Sequence, residues 1–372
     1  MISYRPELRT QVVRVQKDLW GENLELNAAY LEWKHLRNPY LSEPLIYLAM
    51  YGDHVVGMRS FVGSKWQFGF SRQSAVLLLE SDAVVAPEHR NQGLVSLIME
   101  KALKDLAEKG YSYTLSMGTR PVVLGSNMKL GWRTIGSLDP LGRTGAQPES
   151  LSGTYAAPGK FALIKTVYRE LSAGERRSQP SQFELLDGVR DRCNGKLDDH
   201  ISMGKNLRIV DVVRLKNKID CDHRIRHVQD EVYYEWRLQN PRSTYRFLFW
   251  DDSELEGYLI LQSMTFNQDG TVNLVDWCAI SDEILGELLE AAIPLMSGQM
   301  LALWGGTLTR KERRIFEAAN FKPQPQEVMH YPWLAATRPV RDEMLADEWL
   351  LGEMPMLDMT NWDFRMLHSR AF

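Results

Sequence analysis

Cysteine is scarce in this chain of 372 residues. The three present, Cys193, Cys221 and Cys278, are far apart and odd in number, which points away from a disulfide framework or a zinc site and toward buried thiols. Long apolar runs are also missing: none approaches the ~20 residues that span a bilayer. The opening stretch MISYRPELRTQVVRVQKDLW is too polar for a signal peptide, so no membrane contact and a cytoplasmic location are expected. Charge of one sign is lacking as well. A formal net charge of -4 gives no electrostatic footprint for nucleic acid. His223 and His227 stand four apart without a Glu or Cys partner nearby, and no metal is expected. What remains is 44% hydrophobic and 25% charged, a globular composition, in a chain long enough for two domains.

Against these absences stands an internal repeat. YLEWKHLRNPYLSEPLIYLAMYGDHVVGMRSFV (30–62) and YYEWRLQNPRSTYRFLFWDDSELEGYLILQS (233–263) share an order of features. Each runs from Trp33 or Trp236 followed by a base, through Asn38-Pro39 or Asn240-Pro241, to strand, acidic turn, Gly57 or Gly257, and strand. The parallel continues through 76–87 and 272–281, which sets Asp82 opposite Asp276. Helices 94–109 and 283–297 follow, then 112–120 and 301–310, and LGW (130–132) opposite ANF (319–321). Two copies of one α/β module are expected, with domains at 1–150 and 151–335 and a tail at 336–372. Residues 138–160, rich in Gly, Pro and Ser, read as the linker. The tail is too apolar to hang free and is expected to pack across the domains or against a second copy in a homodimer.

Within one copy the pattern reads helix, helix, hairpin, strand, helix, strand, short helix, strand. Residues 45–51 and 54–62 flank a polar YGDH turn, and 75–86 read as a strand covered on both faces. In 94–109, Leu94, Ile98, Ala102 and Leu106 form one apolar helix face, which Gly110 ends. Between strand and helix lies VVAPEHRNQGLVSLIMEKAL (84–103). A helix start with free N–H groups and a glycine suits an anion, because the helix end carries partial positive charge and glycine lets backbone come close.

These residues, followed by a strand and NMKLGW, resemble the GCN5-related N-acetyltransferase (GNAT) superfamily. Its signature of Arg or Gln, two residues, Gly, one residue, and Gly or Ala is matched by Arg90-Asn91-Gln92-Gly93-Leu94-Val95. The resemblance implies a mixed, mostly antiparallel central sheet flanked by helices in each of two tandem GNAT-like domains. It implies acetyl-coenzyme A as acyl donor, its pyrophosphate on the turn 90–96 (Arg90, Asn91, Gln92, Gly93, Leu94, Val95, Ser96), and its pantetheine arm along the backbone of Ala83, Val84 and Val85. Two positions depart from the pattern. Val95 replaces a small residue, and Asn127 stands where the family often has a Tyr that protonates the leaving thiolate; an amide cannot act as an acid.

Acetyl transfer needs a deprotonated amine, and a strand carboxylate is the usual base. Glu80 and Asp82 are two apart, which places both on one strand face unless a bulge shifts parity. Pairing with Arg72 or Arg120 is the competing reading. Tyr30, Trp33 and Asn38 are candidates for acceptor binding, although their repetition in both copies argues for packing. The second copy has AISDEILGELLE in place of the turn, and Asp282 and Glu283 would repel a phosphate. The expected partner is a small-molecule amine, with an amino sugar or sugar nucleotide suggested by the Trp-base-Asn-Pro element. The alternatives are a non-catalytic acyl-coenzyme A scaffold or sensor, and an acyltransferase with another donor.

Overall fold

The computed structural model describes residues 1–118, 121–144, 199–219, 222–265, 271–296, 299–324, 333–347 and 349–369. The first half runs β1 (Ile2–Ser3), α1 (Arg9–Val15), α2 (Lys17–Trp20) and α3 (Leu24–Leu31). A π-helical turn, Glu32–Leu36, continues α3. There follow β2 (Leu45–Tyr51), β3 (His54–Phe68), β4 (Gln73–Val85), α4 (Leu94–Glu108), β5 (Tyr113–Met117), α5 (Pro121–Lys129) and β6 (Arg133–Ser137). Next come β7 (Pro140–Thr144), β8 (Ile201–Gly204), α6 (Ile209–Lys218), β9 (Ile225–His227) and α7 (Glu231–Arg237). The second half continues with β10 (Ser243–Asp251), β11 (Leu255–Met264), β12 (Val272–Ala279), α8 (Asp282–Leu295) and β13 (Met300–Trp304). It closes with α9 (Arg310–Ala318), β14 (Lys322–Pro323) and β15 (Leu334–Pro339).

Two large sheets repeat one order. The first runs β1-β2-β3-β4-β5-β15-β6, and the second, read the same way, β8-β10-β11-β12-β13-β7-β14. Only β4 with β5 and β12 with β13 run parallel along these paths; the other neighbours are antiparallel where their register is defined. The sixth place in each sheet is filled from the other half. β15 lies between β5 and β6, with Ala336 opposite Ser116, and β7 lies between β13 and β14, with Gly142 opposite Ala302. Boundaries at 150 and 335 therefore do not follow the sheets. The linker reading of 138–160 is corrected at 140–144, which is a strand; 145–160 lie outside the described residues. Cys193 and Cys221 also lie outside them, and Cys278 is half-buried.

Local rules explain the elements that frame the cleft. α4 buries Ile98, Ala102 and Leu106 against β2 and β3. It ends in a Schellman motif, in which Tyr111 N–H donates to Leu106 O at 3.1 Å and Gly110 N–H to Ala107 O at 3.1 Å, with Gly110 at φ 83°. In the second half, α9 starts in a Thr309–Glu312 capping box. Asn320 takes the left-handed place after it that Gly131 takes after α5, at φ 63° and 92°.

The halves meet across a single aromatic core. Trp33 and Trp236 stack with centroids 5.1 Å apart and planes 12° apart, while Tyr30 stacks on Trp33 at 5.4 Å. Trp66 of β3 packs edge-on against Trp362 and Phe364 of the tail at 5.4 and 5.7 Å. Tail residues 362–363 also pair with β9, which in turn pairs with β3. Among the described residues no helix is long and apolar enough to cross a membrane.

Candidate functional site

β4 and β5 pair only at Leu78–Thr114 and Leu79–Leu115, and β4 then runs on to Val85 without β5 beside it. The strands splay from Glu80 onward. Ala83, Val84 and Val85 lie on this open edge and pair on their other side with Arg59, Met58 and Gly57 of β3.

At the end of the splay the chain turns into α4. Asn91 and Gly93 adopt left-handed φ values of 63° and 73°. No atom lies within 4 Å of where a Gly93 Cβ would stand, so the glycine is required by backbone conformation rather than by crowding. The N–H groups of Asn91, Gln92, Gly93, Leu94 and Val95 have no acceptor among the described residues, and no side chain caps the helix. Arg90 braces the turn: its Nε donates to Val85 O at 2.9 Å and its Nη2 to Asp18 Oδ2 at 3.2 Å. Ser96 of α4 lies 3.2 Å from Ser126 of α5, hydroxyl to hydroxyl. The corresponding start of α8 is closed from within. Ser281 caps it by accepting from Ile284 N–H at 3.3 Å, and Asp282 and Glu283 occupy its first turn. Hydrogen bonds to its own backbone amide and to Ser281 hold the Glu283 carboxyl below its ordinary range.

A bulge in β4 decides where the two carboxylates go. Phe61 pairs with Glu80 and Arg59 with Ala83, so one residue of β3, Ser60, spans two of β4. Glu80 and Asp82 therefore point to opposite faces, which corrects the expectation of a shared one. Glu80 faces α4 and α5, is buried, and forms an ion pair with Arg59. Asn127 Nδ2 donates to both Glu80 oxygens, at 2.8 and 2.6 Å, and Asn127 Oδ1 accepts from Arg59 Nη2 at 3.1 Å. Arg72 pairs with neither carboxylate, and Arg120 lies outside the described residues.

Asp82 faces the π-helical turn. Lys34 Nζ lies 2.8 Å from its Oδ1, and Gln16 Nε2 donates to Oδ2 at 2.9 Å. Burial alone would raise this carboxyl, but the Lys34 ammonium and the contact with His35 hold it far below the ordinary range. His35, 3.6 Å from Asp82 and 3.3 Å from Ser60 Oγ, is lowered by burial, which outweighs the pull of Asp82; the ring is neutral.

The second copy serves as an internal comparison. Its register makes Leu259, Leu274 and Asp276 the counterparts of Arg59, Glu80 and Asp82. Matching bonds after the last helix, Trp132 N–H to Asn127 O and Phe321 N–H to Phe316 O, make Phe316 the counterpart of Asn127. The buried Arg59–Glu80–Asn127 triad thus stands where the other copy has Leu259, Leu274 and Phe316 in an ordinary apolar core. The aspartate is kept in both copies and finds a cation in each, Lys34 for Asp82 and Lys216, at 3.1 Å, for Asp276. The second splay is also filled. Arg365 of the tail stacks on the Trp277 ring, 3.9 Å from its centroid, donates to Trp277 O at 3.0 Å, and pairs with Glu312 at 3.1 Å.

Tyr30, Trp33 and Asn38 are buried, in keeping with the packing reading. Tyr30 and Trp33 are sealed in the aromatic interface. Asn38 donates to Gly63 O at 3.1 Å and accepts from Tyr40 N–H at 3.1 Å, as Asn240 accepts from Arg242 N–H at 3.0 Å in the other copy. Arg59, Lys34 and His35 are the site residues that sequence reasoning missed. For Arg59 a signal existed: in GMRSFV it shares strand parity with Phe61 and so points inward. Among the described residues no cluster of His, Cys, Asp and Glu is arranged to hold a metal ion.

Residues 12–125 match the model of the acetyltransferase (GNAT) family. No curated protein matches the sequence. Among solved structures, a protein of Enterococcus faecalis V583 described as a probable N-acyltransferase aligns over 91% of this chain and 72% of its own at 11% identity, with a TM-score of 0.55. A GCN5-related N-acetyltransferase from Kribbella flavida covers 93% and 72% at 14% identity and TM-score 0.48. A tandem GNAT protein from the clavulanic acid biosynthesis pathway covers 92% and 97% at 11% identity and TM-score 0.47. The first of these likenesses supports the fold alone; the family match falls on the half of the molecule that carries the open turn, the splay and the polar triad. Residues 12–125 are a domain of the GNAT acetyltransferase family, followed in this chain by a second unit of the same sheet order.

Proposed function

We propose that the protein is an N-acyltransferase that moves an acetyl group from acetyl-coenzyme A to an amino group of a small molecule, using the first copy alone. The observation that carries this reading is the Arg59–Glu80–Asn127 triad. A buried charged group is costly unless it is paired, and the second copy builds the same core from two leucines and a phenylalanine. The fold does not require the triad, and it stands at the start of the splay.

In this reading the five free amides of 91–95 hold the pyrophosphate, with the α4 terminus favouring its charge. Ala83, Val84 and Val85 offer backbone to the pantetheine arm as a neighbouring strand would. The amine nitrogen attacks the thioester carbonyl carbon, its N–C bond forms, the C–S bond breaks, the nitrogen gives up a proton, and coenzyme A leaves as the thiolate. Glu80 takes that proton, directly or through a water, while Asn127 and Arg59 fix the carboxylate. Asn127 has no proton to give, so the thiolate is protonated from solvent. Asp82 is assigned to the fold, because the silent copy keeps its counterpart.

The test is free thiol release from acetyl-coenzyme A across a library of small amines, amino sugars and sugar nucleotides among them. Turnover with any acceptor, together with a cofactor-induced rise in Tm that Arg90→Glu removes, supports the reading. A Tm rise without turnover leaves an acyl-coenzyme A-binding scaffold, and no rise at millimolar cofactor rejects both.

A further inference from the structure

Arg90 is half-exposed, yet two of its donors are committed within the chain, Nε to Val85 O at 2.9 Å and Nη2 to Asp18 Oδ2 at 3.2 Å. The first acceptor lies on the open edge. Ala86 N–H donates to Val56 O at 2.8 Å, which turns the polar groups of Ala86 toward β3. Polar groups alternate sides along a strand, so those of Val85 point away from β3, to the side that β5 has left. Arg90 therefore covers a carbonyl on the path assigned to the pantetheine arm. The second acceptor, Asp18, belongs to α2, and among the described residues Arg90 is its only ion-pair partner.

The second copy has neither member of this pair. Gln16 and Lys216 are equivalent, since each donates to Oδ2 of the matched aspartates, Asp82 at 2.9 Å and Asp276 at 3.1 Å. Two residues on, Asp18 stands where the second copy has Lys218, which pairs with Glu254 of the β10–β11 hairpin. The entry to α8 reads Ala279-Ile280-Ser281-Asp282-Glu283, without an arginine. Carboxylate and arginine thus occur together where the turn is open, and both are missing where Ser281 closes it. A pair that the fold itself required would be expected in both copies.

The pair is also easily broken. The side chains are 50% and 20% exposed, and an ion pair so open to water and salt is weak. A pyrophosphate seated on the amides of 91–95, which begin one residue after Arg90, offers the guanidinium oxygens that it binds as readily as a carboxylate. We infer that Arg90 is a latch with two exclusive placements. In the free protein it holds α2 through Asp18 and closes the edge at Val85. With cofactor bound it turns to the pyrophosphate, which releases Val85 O to the pantetheine arm and leaves Asp18 without its partner. Asp18 is then a competitor of the cofactor rather than a ligand to it. The inference rests on the acyl-coenzyme A reading of the turn.

The test is calorimetric titration of coenzyme A into the full-length protein and three variants. Asp18→Asn, which releases the arginine, should bind about two- to fivefold more tightly than the wild type, the range that an exposed ion pair supports. Arg90→Gln should bind more weakly, and adding Asp18→Asn to it should bring no further gain, because the carboxylate acts through Arg90. Unchanged or weaker binding by Asp18→Asn overturns the latch and leaves the acyl-coenzyme A reading intact. An equal gain in the Arg90→Gln background overturns it as well, since Asp18 would then repel the phosphate directly. No binding of coenzyme A by the wild type removes the cofactor reading, and the latch with it.

Discussion

Trp33 and Trp236 donate their indole N–H groups to each other's backbone carbonyl, at 2.7 and 2.8 Å. The two bonds are reciprocal and the rings are stacked, so the residues mark a local two-fold relation between the copies. Each ring buries its partner's surface and satisfies its partner's backbone. Trp33→Ala is expected to cost about 3–5 kcal/mol in denaturant unfolding. Trp33→Ala/Trp236→Ala should cost clearly less than the two single losses together, since one contact is removed twice. Additive losses would show that the rings act independently.

Replacing the triad by its counterparts separates fold from chemistry. Arg59→Leu/Glu80→Leu/Asn127→Phe should remain folded, with stability unchanged or higher by about 1–4 kcal/mol, and should release no thiol from acetyl-coenzyme A. Arg59→Leu alone strands the Glu80 charge and is expected to lose about 3–5 kcal/mol. Full turnover by the triple variant would remove the triad from the mechanism.

Gly93→Ala tests the turn. A left-handed φ costs a residue with a Cβ about 1–2 kcal/mol, and the open space around the position means that no clash adds to it. A modest fall in Tm with a weakened acetyl-coenzyme A shift is expected. An undiminished shift would place the pyrophosphate elsewhere.

Three buried histidines set an acid limit on stability. His35, His227 and His368 are all lowered by burial, so the folded state keeps them neutral where the unfolded chain, near its ordinary value of about 6.5, takes up protons. Their contribution is present above about pH 6.5 and is lost as pH falls below it toward the folded values, at about 1.4 kcal/mol per pH unit for each ring. Unfolding followed from pH 8 to pH 5 in buffers free of small carboxylates should show this slope, and His368→Asn should remove one ring's share. A flat profile would mean that the rings take up protons alike in the folded and the unfolded chain.

The sequence made some of this legible and hid the rest for physical reasons. The repeat was readable because Trp, Asn-Pro and Gly recur in one order, and Trp236 of the second copy already argued that Trp33 is packing. The register around Asp82 and Asp276 followed from the same comparison. The β4 bulge did not: one extra residue opposite Ser60 leaves no mark on composition, yet it sends Glu80 to Arg59 and Asp82 to Lys34. The π-helical turn hid in the same way. It accounts for the single residue by which the Trp33–Asn38 spacing exceeds the Trp236–Asn240 spacing. Nor could PLGRT at 140–144 announce its sheet, since a short strand's pattern states which side is buried but not which neighbour it joins.

The crossed placement of β7 and β15 also governs how the molecule comes together. Thr114 and Arg338, bonded at 3.2 Å, are 224 residues apart in the chain. On a ribosome the first sheet must wait with a gap beside β5 until residues 334–339 are made. Contacts of such long range close slowly and late. Neither half, expressed alone, has all its strands, so the two should lose structure in one cooperative step, and supplying the halves as separate chains should restore solubility only when they are made together.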